Sequence, residues 1–295
     1  MKYFPSISQY KLTSLWSIAC LMLFLGCSDS HDFVYNDEDE VEEVTLTLTD
    51  ANGNTGVIPS GTQMGIYMIG DDGAVTFQQV EVGGDGKLIL PSSAREKKLF
   101  VYSPYQESWD TEDFSTTQLF QVQSDQSSMS QYQASDLMVG SLTEGVTTNA
   151  SMTFSHLMSK VVIHIIDESG VIDMSQVSAE LLHVYNSANI DIKNATATTI
   201  EETTTDIRMC PEMVTDWRLS SYAILPPQTI AANTDFFAIT VYGVRQVYSL
   251  PDTVLLESGQ TYTINIRLTD QGLVIDGSYV TDWEEVGEKT IVVNA

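Results

Sequence analysis

The chain has 295 residues, with 40 Asp and Glu against 13 Lys and Arg, for a formal net charge of −27 at pH 7. So acidic a chain argues against nucleic acid or anionic lipid headgroups as partners, because both are recognised by basic surfaces. Only three cysteines occur, too few for a disulfide scaffold, so buried apolar area must stabilise the fold.

Residues 1–26 read as an export signal. Lys2 and Lys11 give a positive start, and Leu15 to Gly26 is an uncharged 12-residue run, long enough for a secretory core and too short to span a bilayer. Removing 26 of 295 residues leaves 269, and losing Lys2 and Lys11 takes the charge from −27 to −29. The run ends in Leu23-Phe24-Leu25-Gly26-Cys27, which resembles the lipobox of bacterial lipoproteins, with Phe24 where Leu is usual. That resemblance implies acylation of Cys27, and more than one acyl chain anchors a protein stably, since each buried CH₂ contributes about 0.8 kcal/mol. Residues 27–43 include Asn36-Asp37-Glu38-Asp39-Glu40; so acidic a stretch cannot bury a core and reads as a solvated tether. It is also similar to the acidic signal that follows the lipidated Cys in surface lipoproteins of Bacteroidetes.

From residue 44 onward, β-branched and aromatic residues alternate in short runs. Strands are expected at Val44–Thr49, Met64–Ile69, Val75–Val82, Lys87–Leu90, Leu99–Tyr102, Gln118–Gln123, Leu137–Gly140, Ser151–Phe154 and Lys160–Ile166. Beyond these come Glu180–Tyr185, Ser221–Leu225, Phe236–Tyr242, Thr261–Leu268, Leu273–Ile275 and Thr290–Val293. Gly- and Asp-rich turns separate them, as at Asp71-Asp72-Gly73 and Gly83-Gly84-Asp85-Gly86. The pattern predicts an all-β chain of two antiparallel β-sandwiches, residues 44–168 and 169–295. Helical periodicity is nearly absent, with one turn at most near His156–Ser159. Ala195–Thr205, rich in Thr, reads as a loop or an exposed edge ribbon.

No constellation for catalysis stands out. His156 and His164 lack companions at metal-ligand spacing and read as structural. Asp50-Ala51-Asn52-Gly53-Asn54 opens like a Ca²⁺ loop, but Thr55 and Gly61 stand where Gly and Glu are required, so a turn is expected. The carboxylates Glu107, Asp110, Glu112 and Asp113 around Trp109 read as an acidic loop with an aromatic anchor, not a glycosidase pair. No motif calls for a metal or a cofactor, and the chain does not read as an enzyme. Asp252-Thr253-Val254 matches the short sequon that resembles O-glycosylation sites of exported Bacteroidetes proteins, which makes Thr253 a candidate.

Three stretches together resemble the fimbrillin family, the subunits of type V pili of Bacteroidetes. The first is Asp136-Leu137-Met138-Val139, followed by Phe154-Ser155-His156-Leu157-Met158-Ser159-Lys160. The second is Tyr222-Ala223-Ile224-Leu225-Pro226-Pro227-Gln228-Thr229, and the third Ser258-Gly259-Gln260-Thr261-Tyr262, continuing to Asp282-Trp283. The resemblance implies transthyretin-like sandwiches and assembly with other fimbrial subunits by strand exchange, in which a neighbour's extended segment replaces the first strand. Here that strand is Val44–Thr49, with Val44, Leu46 and Leu48 on one side. It further implies a lipid-anchored place in the outer membrane at the cell surface, and adhesion to a host or bacterial surface ligand. Family subunits are trimmed after the first strand by an Arg- or Lys-specific protease, but residues 12–86 hold neither Lys nor Arg, a gap of 75 residues. Lys87 and Arg95 are the first candidate sites, so the chain reads as an anchor or accessory subunit that keeps its lipid, whereas a different protease or a cut at Arg95 would make it a stalk subunit. The other reading is a surface lipoprotein that binds glycan for nutrient uptake, with Trp109, Trp217 or Trp283 as a platform; Trp217 and Trp283 read as packing instead.

Overall fold

The computed structural model describes residues 43–109, 113–114, 117–269, 272–283 and 289–291. The signal segment, Cys27 and nearly all of the acidic tether lie outside the described residues. The first strands are β1 (Val44–Thr49), β2 (Gln63–Ile69), β3 (Val75–Glu81), β4 (Lys87–Leu90), β5 (Lys98–Ser103), β6 (Gln118–Gln121), β7 (Met138–Leu142), β8 (Asn149–His156) and β9 (Ser159–Asp167). They are followed by β10 (Val177–Tyr185), β11 (Ser187–Asp191), β12 (Thr196–Thr199), β13 (Thr204–Arg208), β14 (Cys210–Thr215) and β15 (Arg218–Leu225). The last are β16 (Gln228–Ile230), β17 (Asp235–Val241), β18 (Val244–Ser249), β19 (Val254–Leu256), β20 (Gln260–Thr269), β21 (Gly272–Asp282) and β22 (Lys289–Ile291).

The chain is almost all β, as its alternating pattern predicts. Seven strands form one sheet in the order β3-β2-β5-β7-β8-β1-β4. Six form another, β14-β15-β9-β20-β21-β22, and smaller sheets run β13-β10-β17-β18, β12-β11-β6 and β16-β19. Neighbours are antiparallel except that β1 runs parallel to β8 and β20 runs parallel to β9. Two strands that precede residue 168 pair with later ones: β6 with β11, and β9 between β15 and β20.

Two buried clusters account for the packing. Val44, Leu46, Leu48, Met64, Ile66, Leu88, Leu90, Leu99, Val101, Met152 and Phe154 fill one. Tyr67, Phe100, Tyr102, Trp109 and Phe120 belong to the other, together with Val161, Ile163, Ile165 and apolar side chains of β10, β15, β17 and β20. Alternate residues of β2 and β5 thus enter different clusters, and these strands are buried on both faces. Gly65 permits this crowding, because a Cβ there would run into the ring of Tyr102.

Helix appears where the sequence pattern does not place it. Leu157 and Met158 are the short link between β8 and β9, and the one α-helix among the described residues is Met129–Ala134. It is short and polar, with no apolar stripe to read; Ser128 caps it by accepting from the Gln131 amide at 3.4 Å. The Thr-rich stretch forms β12 and the start of β13, both edge strands, in keeping with the ribbon reading. Further strands, β11, β14, β16, β18 and β19, carry too few apolar residues or are too short to announce themselves.

Candidate functional site

β1 lies next to the edge of the seven-stranded sheet, held by β8 on one side and β4 on the other. Thr45 pairs with Asn149 and Thr49 with Thr153, while Val44 faces Leu90 and Thr47 faces Lys87. The alternation puts Val44 and Leu46, both 0% exposed, and Leu48, 1% exposed, into the core. The Thr45 amide donates to the Thr148 carbonyl at 2.8 Å, and Thr49 Oγ1 donates to the Met152 carbonyl at 3.4 Å. The strand ends in a turn built on Asp50, whose carboxylate accepts from the Asn52 and Asn54 amides at 2.9 and 2.7 Å and from Asn54 Nδ2 at 2.7 Å. Burial works to raise the pKa of Asp50, but these hydrogen bonds outweigh it and hold the group below its usual range.

Lys87 opens β4, opposite Thr47 of β1. Arg95 follows the 3₁₀ turn Ser92–Ala94 in the link to β5, its amide donating to the Ser92 carbonyl at 3.0 Å. The segment ending at Arg95 supplies β1, β2, β3 and β4, four strands of the seven. A cut at either basic residue therefore frees much more than the first strand.

The motifs that carry the family resemblance meet at the corner where β8 turns into β9. His156 lies flat on Trp283, with ring centroids 4.1 Å apart and planes 8° apart, and its Nδ1 is 2.7 Å from Asp136 Oδ1. The Lys160 ammonium is 5.6 Å from the Trp283 ring centre and 5.5 Å from that of Tyr222. Burial pulls the Lys160 pKa down, against the carboxylates of Asp136 and Glu212. Tyr222 donates to Glu212 at 2.5 Å, and burial, reinforced by that bond, pushes its phenol up to about 12.

The Ser258-Gly259 turn is tied to the same corner. The Gly259 amide donates to the Met158 carbonyl at 2.9 Å and the Trp283 amide to the Gly259 carbonyl at 2.8 Å. Ser258 Oγ donates to the Leu157 carbonyl at 2.8 Å and Ser159 Oγ to the Glu257 carbonyl at 2.7 Å. Gly259 has φ +71°, which suits glycine there. A cleft of about 330 Å³ beside this corner is lined by His156, Trp283 and Asp282 and by Ala51 and Asn52 of the turn after β1. The corner is thus a polar and aromatic joint between the seven-stranded and six-stranded sheets. Replacing Trp283 with Ala removes the stacking partner of His156 and Lys160 and is expected to cost about 2 kcal/mol, below the figure for a fully buried Trp. Urea unfolding of the two chains measures this, and an unchanged midpoint would contradict a stapling role.

Gln228 explains the Pro-Pro-Gln motif. Its side chain accepts from the Tyr185 amide and donates to the Tyr185 carbonyl, both at 2.9 Å, so it serves the backbone of β10 as a strand would. Gln126 does the same for β15: it accepts from the Ile224 amide at 2.9 Å and donates to its carbonyl at 2.7 Å. Only the second was missed from the sequence, where a Gln between Asp125 and Ser127 looks like ordinary loop.

The remaining candidates are scattered. Trp109 is 1% exposed, and its Nε1 donates to the Leu119 carbonyl at 3.0 Å, the anchor that the sequence suggests; Asp110 and Glu112 lie outside the described residues. His164 Nδ1 is 2.8 Å from Ser220 Oγ. Thr253 is exposed in the link from β18 to β19, its Oγ1 accepting from the Ala232 amide at 3.2 Å. Among the described residues, no group of three or more His, Cys, Asp or Glu is placed to hold a metal ion.

Comparison with known proteins agrees with this architecture. A family model described as fimbrillin-like matches residues 44–283. A candidate cell adhesion protein of Bacteroides ovatus is similar in structure at 15% identity, with 83% of this chain and 98% of the other covered and a TM-score of 0.66. Another from Bacteroides uniformis is 18% identical over 82% of this chain and 98% of the other, at a TM-score of 0.61. No curated protein sequence matches this chain. The family match takes in the seven-stranded sheet, the six-stranded sheet through β21 and the joint at Trp283, and the chain belongs to the fimbrillin-like family.

Proposed function

We propose that the chain is a cell-surface fimbrial subunit, exported as a lipoprotein acylated on Cys27, that keeps both its lipid and its first strand. One observation carries this reading: the link from β1 to β2, residues 50–62, has no Lys or Arg, while Lys87 lies inside β4 and Arg95 just beyond it. A protease specific for basic residues cannot release β1 without dismantling the sheet that must accept a neighbour's strand. With β1 in place the groove between β8 and β4 is filled. Such a subunit closes one end of a strand-exchange polymer, and its lipid holds that end in the outer membrane. The partners are other fimbrial subunits, joined through sheet edges.

Mass and N-terminal analysis of the chain extracted from cells tests this. The expected product begins at an acylated Cys27 and runs through residue 95 unbroken. A mature chain that begins at residue 88 or 96 would overturn the reading.

A further inference from the structure

We propose that the tip of the β14–β15 hairpin is a binding site for a neutral oligosaccharide, with the indole of Trp217 as its stacking platform. The observation that calls for an explanation is exposure. Trp217 is 49% exposed and shares the hairpin with Met213 and Val214, which are 52% and 47% exposed. Trp109, by contrast, is 1% exposed, and Trp283 is covered by His156. Single exposed apolar side chains are common on protein surfaces, but here an indole, with Met213 and Val214 on the same hairpin, is offered to solvent at the mouth of a cleft.

Trp217 stands at the rim of an open cleft of about 700 Å³, whose other walls are Asp216 and the end of β9 with the loop that follows, Asp167 to Gly170. The cleft is pre-shaped. The Asp167 amide donates to the Trp217 carbonyl at 2.9 Å, which fixes the hairpin tip to β9. The Asp167 carboxylate accepts from the Ser169 amide at 2.9 Å, from Ser169 Oγ at 2.6 Å and from the Ile172 amide at 2.7 Å, which sets the loop. Arg267 donates to Glu168 at 2.8 Å and holds the far wall. Rigid walls spare a ligand the entropy of ordering them.

The chemistry of the cleft selects the ligand class. The C–H face of a pyranose ring stacks on an indole, and its hydroxyls donate to carboxylates such as those of Asp216 and Glu168. An anionic glycan meets those same carboxylates and the charge of −27 on the whole chain, and is repelled. A neutral sugar therefore fits better than a sulfated or uronic one. No residue of this cleft belongs to β1, β8 or β4, so the site is independent of strand exchange and binding is measurable on the monomer.

The test is a titration of tryptophan emission of the full mature chain with maltohexaose, cellohexaose and mannohexaose, with a heparin hexasaccharide as the anionic control. At least one neutral probe is expected to give a saturable change, and the heparin probe none. Trp217→Ala is expected to weaken that binding by about tenfold or more, which corresponds to roughly 1.4 kcal/mol. Trp217→Phe keeps part of the affinity, and both variants melt like the parent. Silence of all three neutral probes up to about 10 mM, equal binding by Trp217→Ala, or preference for the heparin probe overturns the proposal. So does self-association of the parent chain that Trp217→Ala abolishes, since the ring is then a protein contact.

Discussion

Replacing Leu46 and Leu48 together with Ala is expected to remove most of the chain's folding stability. Both side chains point from β1 into the core with Met64, Leu88, Leu90 and Met152, and neither is more than 1% exposed. A single buried Leu→Ala change costs about 2–5 kcal/mol through lost transfer energy and the cavity left behind. Two on one strand reach about 4–10 kcal/mol, against a total stability of roughly 5–15 kcal/mol for an ordinary domain. The control is Thr45→Ala with Thr47→Ala, on the opposite face of the same strand, where both side chains are only partly buried; it is expected to cost about 1 kcal/mol or less in all. Urea midpoints measure both pairs. Comparable losses from the two would mean that β1 does not present its Leu face to the core, and the groove reading would go with it.

A complementation experiment separates burial from mere covalent attachment. A chain that begins at residue 51 lacks β1 and leaves the edges of β8 and β4 open, which predisposes it to aggregate. A peptide of residues 43–50 added during refolding is expected to restore a monomer with a cooperative transition. A peptide of the same composition with its Thr and Leu positions exchanged puts Thr where Leu belongs, because side chains alternate with period two along a strand. Rescue by both peptides alike would show that no specific groove exists.

How much of this was legible in the sequence depends on which physical signal each residue leaves. β1 announces itself because Val44-Thr45-Leu46-Thr47-Leu48-Thr49 alternates without a break and one of its faces is buried. β14 hides because its burial pattern is almost wholly exposed after Cys210, so selection for a core never imposed alternation on it. The boundary between the sheets was harder still. β9 is apolar on both faces because it is an inner strand between β15 and β20, and nothing local tells whether such a strand pairs backward or forward along the chain. The motifs around Phe154, Gly259 and Trp283 could be recognised but not interpreted. Their meaning is a single stacked corner, and that depends on contacts between residues more than a hundred positions apart, such as His156 with Trp283. Trp217 stands alone in the sequence and so reads as packing, but the structure leaves it 49% exposed, a property of the hairpin tip that no local pattern marks.

On the proposal that an uncut β1 closes one end of a strand-exchange polymer, placing a cleavable residue in the turn after β1 is expected to make the chain polymerise. Asn52 is exposed in that turn, and Asn52→Arg keeps the backbone amide that donates to the Asp50 carboxylate. The variant is expected to fold as the parent does, which its urea midpoint checks, and an Arg-specific protease then cuts it after residue 52, leaving β2, β3 and β4 attached. The parent treated in the same way has no Arg before Arg95, which follows the 3₁₀ turn Ser92–Ala94 with its amide bonded to the Ser92 carbonyl; Arg95→Lys in both chains restricts cutting near β1 to residue 52. The released segment stays in its groove only by non-covalent contacts, so a neighbour's strand present at high local concentration competes for it. Ladders of multimers on unboiled gels are expected from the nicked variant alone, with the parent monomeric under the same treatment. If the nicked variant stays monomeric even after the β1 fragment is washed out in mild denaturant and the chain refolded, the groove is not an acceptor. If the untreated parent already forms ladders, β1 is not what closes the end of the polymer.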